Sequence, residues 1–187
     1  MKKLSLGVLL GGVVYFAWCA LTWIVLPIYS SQIKRLPEET LIRDTLKVVL
    51  QEPGLFEFPS RQTAAGKLSK AEFQKLWTEG PVGILAVSLK DPGPINTKRM
   101  GFTILGSLLT SLLIGWILFA ARKEAFCVTS RLIVSAGLGL MVWVASDFIA
   151  WNWWSFPTAY TFITLADRVI GFALVGLTLS GFIPKAE

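Results

Sequence analysis

Four charged side chains stand inside stretches of the sequence that are otherwise apolar. Arg131 is one helical turn inside the stretch 126–149, from where it can snorkel to the headgroups. The other three form one candidate group. Asp147 lies near the end of the apolar stretch 126–149, and Asp167 and Arg168 lie within the stretch 160–183. A charged side chain in hydrocarbon costs about 2.5–3.5 kcal/mol on insertion scales, so such residues usually face inward and pair. We therefore predict that Arg168 pairs with Asp147 and that Asp167 lies on an adjacent face.

This predicted intramembrane ionic cluster of Asp147, Asp167 and Arg168 has three interpretations. In the favoured one, the ion pair fixes the packing of two neighbouring helices and has no further role. In the second, the cluster binds a substrate or carries protons. In the third, the charged groups reach the headgroups at the outer membrane interface by snorkelling.

Other residue types exclude several classes of chemistry. The sequence contains no histidine, which is the commonest metal ligand and general base. Its two cysteines, Cys19 and Cys127, form no CxxC pair, so a thiol-redox enzyme is not expected. We expect no catalytic residues, no metal site and no cofactor, and we predict that the protein is not an enzyme.

Four long apolar segments must position the ionic cluster. At about 1.5 Å per helical residue, each is long enough to cross a hydrocarbon core of about 30 Å. The first is expected to be an uncleaved signal anchor, because its apolar core exceeds the roughly 7–15 residues of a signal peptide. The predicted transmembrane helices cover residues 4–29, 100–121, 126–149 and 160–183.

Small residues recur at helical spacing in the first three spans. Small side chains let helix backbones approach each other closely in a membrane. These positions are therefore predicted to be helix-packing faces. They are Gly7, Gly11, Ser107, Ser111, Gly115, Ser135 and Gly139.

Aromatic residues crowd the turn predicted between the third and fourth spans. Aromatic rings favour the membrane–water interface, so we interpret them as an interfacial aromatic patch. An alternative is an apolar site for a lipid tail, a quinone ring or a partner helix. The patch consists of Trp143, Trp151, Trp153, Trp154 and Phe156.

Residues 30–99 form the one long polar region and are predicted to be a small α+β domain. Ser69 and Glu72 have the spacing of a capping box at the start of a helix. Two short strands, 55–59 and 84–89, pair with each other or, alternatively, add to the sheet of a partner. A domain of this size has a core that is only marginally stable, so we expect it to pack against the membrane surface, the ends of the spans or a partner protein.

Basic residues predict the orientation of the chain. The net charge is +6, but the basic residues flank apolar segments, so membrane lipids and not nucleic acid are the expected partner. The positive-inside rule predicts that both termini are cytoplasmic and that residues 30–99 are periplasmic or extracellular. The residues that decide this are Lys2, Lys3, Arg122, Lys123 and Lys185.

The order of spans and connecting segments resembles that of the claudin-like tetraspan proteins. Gly54-Leu55-Phe56 is similar to the Gly-Leu-Trp of their first outer segment. The paired cysteines that accompany that motif are absent from this sequence, so the resemblance covers topology and implies no function.

The combined pattern predicts a membrane all-α fold, a four-helix transmembrane bundle with a small extracytoplasmic α+β domain inserted between spans 1 and 2. We expect a multi-pass protein of a bacterial inner membrane. Its expected function is that of a non-enzymatic subunit or scaffold, which binds a protein partner or forms a homo-oligomer within the membrane. The alternative is a transporter or lipid-handling protein that uses the ionic cluster.

Overall fold

The computed structural model describes residues 2–91, 93, 95–123 and 127–184. The described chain is mostly helical, and four of its helices are long and apolar enough to cross a membrane. The predicted start of the third span at residue 126, and Lys185, lie outside the described residues. The four helices are Lys2–Val25, Thr97–Ala120, Val128–Trp154 and Thr158–Ser180.

Seven α-helices and four short strands make up the described chain. The first helix, α1, ends in a π-helical turn over Leu21–Val25. In chain order the elements are α1 (Lys2–Ala20), α2 (Glu39–Val49), β1 (Gly54–Phe58), β2 (Gln62–Thr63), β3 (Gly66–Lys67), α3 (Lys70–Glu79), β4 (Gly83–Val87), α4 (Thr97–Ala120), α5 (Val128–Ala145), α6 (Asp147–Trp154) and α7 (Thr158–Ser180).

The long helices form one compact unit, in which α7 packs against α1 and α5, and α1 also packs against α4. Its apolar core lies between α4 and α7, where Ile114, Leu118, Val175 and Leu179 are buried. The fourth apolar helix is thus the central one, with neighbours on more than one side.

Small residues lie where these helices touch. All seven positions predicted for helix packing are buried, in α1, α4 and α5. A Cβ atom added to Gly139 would lie 2.6 Å from the Arg168 carbonyl oxygen, which shows how closely the backbones of α5 and α7 approach. A Cβ on Gly11 would likewise meet the side chain of Ser111 in α4.

Helical structure extends beyond the predicted end of the third span at residue 149. The helix is interrupted at Ser146 alone, and the chain is helical again, as α6, through Trp154. The connection to α7 is therefore shorter than the predicted turn. No glycine or proline interrupts residues 147–154, which explains why the helix persists. Ser155, with φ of 57°, ends it in the left-handed region.

Arg131 caps the end of α7. Its Nη1 donates to the carbonyl oxygens of Ser180 and Ile183, each at 3.1 Å, and its Nη2 donates to that of Pro184 at 3.4 Å. The last carbonyls of a helix lack intrahelical donors, and a cation at this end is favourable. Arg131 is therefore buried, whereas its position near a span end had suggested snorkelling to headgroups.

A second compact unit contains the polar region Arg35–Pro94, together with residues 152–155. Its strands β1 and β4 pair with each other in antiparallel register, with Phe56 opposite Leu85. A small hairpin of β2 and β3 lies between β1 and α3.

The helix α3 begins with the predicted capping box. The backbone N–H of Glu72 donates to the Ser69 hydroxyl, and the backbone N–H of Ser69 donates to the Glu72 carboxylate at 2.9 Å. Hydrogen bonding to Ser69 holds the pKa of the Glu72 carboxyl below its usual value.

Gly139→Ala is expected to destabilise the helical unit by about 1–3 kcal/mol, because the added methyl group overpacks the contact with the backbone of α7. The measurement is the midpoint of unfolding when the detergent-solubilised full chain is titrated with SDS. Gly137→Ala is the matched control, because a Cβ at that position of the same helix meets nothing within 4 Å. Equal midpoints for the two variants would contradict the assigned packing.

Candidate functional site

Arg168 and Asp147 form a two-point salt bridge between α7 and the start of α6. Arg168 Nε donates to Asp147 Oδ2 at 2.8 Å, and Nη2 donates to Oδ1 at 3.3 Å. The side chain of Arg168 is 33% exposed and that of Asp147 is 14% exposed. This fork geometry matches a planar guanidinium to a carboxylate and is stronger than a single contact.

The break at Ser146 positions the carboxylate. Asp147 is the first residue of α6, and the Ser146 hydroxyl lies 2.9 Å from its Oδ2 atom and 2.7 Å from the Val142 carbonyl oxygen. The interruption between α5 and α6 thus lies next to the charged group, and the serine hydroxyl supplies a local polar partner.

Asp167 lies in a separate contact with the first span and the residues after it. Its Oδ2 accepts a hydrogen bond from the Tyr29 hydroxyl at 2.8 Å, and its backbone carbonyl accepts from Trp18 Nε1 at 3.2 Å. Among the described residues, the buried Oδ1 atom has no hydrogen-bond partner. Adjacent residues of a helix point about 100° apart, so Asp167 and Arg168 serve different neighbours.

The predicted ionic cluster is therefore divided in two by the structure. Arg168 and Asp147 join α7 to α6 through an ion pair, and Asp167 joins α7 to the chain around Trp18 and Tyr29 through neutral donors. The pairing of Arg168 with Asp147 is present as expected, and Asp167 lies on another face. A catalytic, substrate-binding or proton-carrying role for these residues stays a prediction.

Trp143 has a different position from the one predicted for it in the aromatic patch. It is buried, and its Nε1 donates to the Thr161 carbonyl oxygen at 2.8 Å. The Thr161 carbonyl oxygen also accepts from the Thr164 hydroxyl at 2.7 Å, so the indole N–H shares a carbonyl that already has another donor, and it thereby satisfies its own need for a partner when buried. Trp143 is thus a packing residue between two spans.

The other patch residues lie at or near the end of α6. The indole of Trp151 donates to the Thr158 hydroxyl at 3.1 Å, and its ring lies 5.5 Å from that of Phe148. Phe156 lies 5.8 Å from the ring of Tyr160. Trp153 and Trp154 are exposed, which is compatible with an interfacial location.

Two contacts of Asp167 were missed, that of Tyr29 with its carboxylate and that of Trp18 with its backbone carbonyl. The sequence pattern suggests that Trp18 and Tyr29 mark the outer half and the boundary of the first span, yet both bond to Asp167. Tyr29 also stacks on Trp23 at a centroid distance of 4.1 Å. Tyr29 is at the predicted end of the first span and Asp167 is well inside the fourth, so no pattern in the sequence indicates their contact.

Metal-ligating groups do not converge in the described part of the chain. Within it, no set of three His, Cys, Asp or Glu side chains is placed to hold a metal ion. Cys19 and Cys127 are both free thiols. The polar groups described above can hold helices together, and they can offer hydrogen-bond donors to a molecule that reaches them.

No family model, curated protein sequence or solved structure matches this chain. The fold therefore defines the class of protein only as one with four helices of membrane-spanning length and apolar composition. Any inference about function rests on the residues of this chain alone.

Arg168→Met is expected to destabilise the helical unit by about 2.5–3.5 kcal/mol, because it leaves the Asp147 carboxylate in an apolar setting without its cation. The unfolding midpoint of the full chain in an SDS titration measures this. The double variant Arg168→Met with Asp147→Asn contains no unpaired charge and is expected to recover most of the loss. A double variant no more stable than Arg168→Met would contradict a stabilising ion pair.

Proposed function

We propose that this protein is a non-enzymatic, multi-pass membrane subunit that binds a partner protein through its polar unit and its spans. In this proposal the membrane is a bacterial inner membrane, both termini are cytoplasmic, and residues 30–99 lie on the periplasmic side. The four apolar helices supply the anchor, and the polar unit supplies the binding surface.

The observation that carries the proposal is the absence of a core in the polar unit. Among residues 35–91 and 93, no side chain is buried. Val48 in α2 retains 82% of its exposure and Leu55 in β1 retains 71%. Apolar burial is the main favourable term in folding, so a second surface that covers these side chains would stabilise the unit. The other apolar residues exposed there include Leu36, Leu41, Val49, Leu76 and Trp77.

The small sheet of the polar unit offers one way for a partner to bind. Among the described residues, β1 and β4 pair only with each other, so the outer edge of each strand makes no hydrogen bonds to a further strand. A two-stranded sheet is marginal by itself. A third strand from a partner would add backbone hydrogen bonds and cover Leu55, as in recognition by strand addition.

Basic residues support the proposed orientation. Lys2 and Lys3 precede the first apolar helix, and Arg122 and Lys123 follow α4, which places both pairs on one side of a four-helix anchor. The connection 150–159 has no basic residue. An excess of lysine and arginine is typical of cytoplasmic connections.

Site-specific photo-cross-linking in the native membrane tests the proposal. A benzophenone amino acid at Leu55 or Val48 is expected to form one adduct of discrete mass with a second polypeptide, because these side chains lie in the proposed contact. Leu55→Glu should weaken the adduct formed from position 48 on the order of tenfold, since a charge in an apolar contact costs binding free energy.

The control places the same photoreactive residue at Gln62, an exposed polar position in β2. It should give no protein adduct. An adduct of equal yield at all three positions, or labelled lipid alone at positions 48 and 55, would contradict partner binding by this surface.

A further inference from the structure

A groove opens sideways between α4 and α5, and α7 forms its floor. Its volume is about 360 Å³. The buried side chains of Ile114 and Phe172 lie at its base, and the exposed side chains of Leu113 and Met141 border it. The groove therefore faces the surroundings of the helices, which for these apolar helices is the lipid hydrocarbon.

Polar groups line one part of this otherwise apolar groove. Arg168, Tyr15 and Thr110 contribute to the lining. The two hydrogen bonds from Arg168 to Asp147 use two of the five N–H donors of a guanidinium, which leaves donors for another acceptor. The ring of Tyr15 is held edge-on against Phe172, with centroids 5.8 Å apart.

The charge balance favours a neutral occupant. Asp147 already neutralises Arg168, and the further ionisable group beside it, Asp167, is acidic and bonds to Tyr29. An anionic headgroup would add a negative charge next to that of Asp167. A neutral carbonyl oxygen accepts hydrogen bonds from a guanidinium or a phenol without that repulsion.

The depth of the groove restricts the occupant further. Arg168 lies ten residues after Thr158, the first residue of α7, which is about 15 Å along a helix axis. The hydrocarbon core is about 30 Å thick, and phospholipid ester groups lie at its borders. An acceptor at mid-helix must therefore belong to a molecule that is itself soluble in hydrocarbon.

We propose that this groove binds a lipid-soluble quinone, with a ring carbonyl oxygen accepting hydrogen bonds from Arg168 and Tyr15. The ring lies between the apolar side chains of α4 and α5, and the tail leaves past Leu113 and Met141 into the lipid. The site belongs to the long helices and does not depend on the partner proposed for the polar unit. Binding alone is assigned, without electron transfer.

A second groove differs from the first in its lining residues. It lies between α1 and α4, has a volume of about 440 Å³, and is lined by Leu4, Val8, Leu112 and Trp116 among others. No charged residue lines it, so it lacks a strong donor for a carbonyl. Lipid acyl chains are sufficient to fill it.

Photolabelling of the full chain in phosphatidylcholine nanodiscs tests the site. The probe is an azido derivative of decylubiquinone, and labelled peptides are identified by mass spectrometry. Label is expected on the groove-facing residues of α4 and α5, and excess unlabelled decylubiquinone should displace it. A parallel reaction uses phosphatidylcholine with a diazirine in its acyl chain, which distinguishes an ordinary lipid from the quinone.

Two variants locate the ligand. Leu113→Trp fills the groove and should reduce quinone labelling on the order of tenfold. Leu109→Trp is the matched control, because Leu109 lies one turn away in α4, is 48% exposed against 58% for Leu113, and does not line the groove. Tyr15→Phe keeps the ring but removes the hydroxyl, and it should weaken labelling about three- to tenfold.

Three results would overturn the proposal. The first is equal labelling of the Leu109→Trp and Leu113→Trp proteins. The second is unchanged labelling of a Tyr15→Phe protein that elutes as the wild type does in gel filtration. The third is labelling of the groove by the phosphatidylcholine probe that decylubiquinone fails to displace.

Discussion

The salt bridge between Arg168 and Asp147 governs how the second half of the chain is arranged. Both side chains are partly buried, and removal of one partner would leave the other charge without its counter-ion, so separation of the two is costly. The contact requires the residues after α5 to remain beside α7, and the helix is interrupted at Ser146, directly before the carboxylate. Gly139 allows the backbones to approach closely enough, and Trp143 donates to a backbone carbonyl in the first turn of α7.

Backbone carbonyl oxygens of α7 set much of the remaining geometry. Arg131 donates to carbonyl oxygens beyond the last turn of α7, and Trp18 donates to the carbonyl of Asp167 in the middle of the same helix. For carbonyl oxygens at and past the end of a helix, such donors take the place that water would otherwise fill. Several of the long-range contacts of α7 are therefore made to its main chain.

The features that the sequence predicted correctly are those that a local pattern determines. Length and apolar composition predict four membrane-length helices, and spacing predicts the capping box at Ser69 and the small residues between helices. The pairing of Arg168 with Asp147 could be predicted because two opposite charges at a similar predicted depth in the membrane have few other partners. The roles of Arg131, Trp143 and Tyr29 could not be predicted, since their acceptors are backbone atoms or an acid brought near only by the packed fold. The helix through Trp154 was not predicted, because aromatic residues near the end of a span are typical of the membrane interface and were interpreted as a turn there.

The cap on α7 has a consequence for the biogenesis of the protein. Arg131 belongs to the third apolar helix along the chain, and the carbonyls it satisfies belong to the end of the fourth. During synthesis the guanidinium leaves the ribosome earlier than its acceptors do. Until the end of α7 has formed and docked, the guanidinium therefore lacks these acceptors, so Arg131 can take its buried position only late in folding.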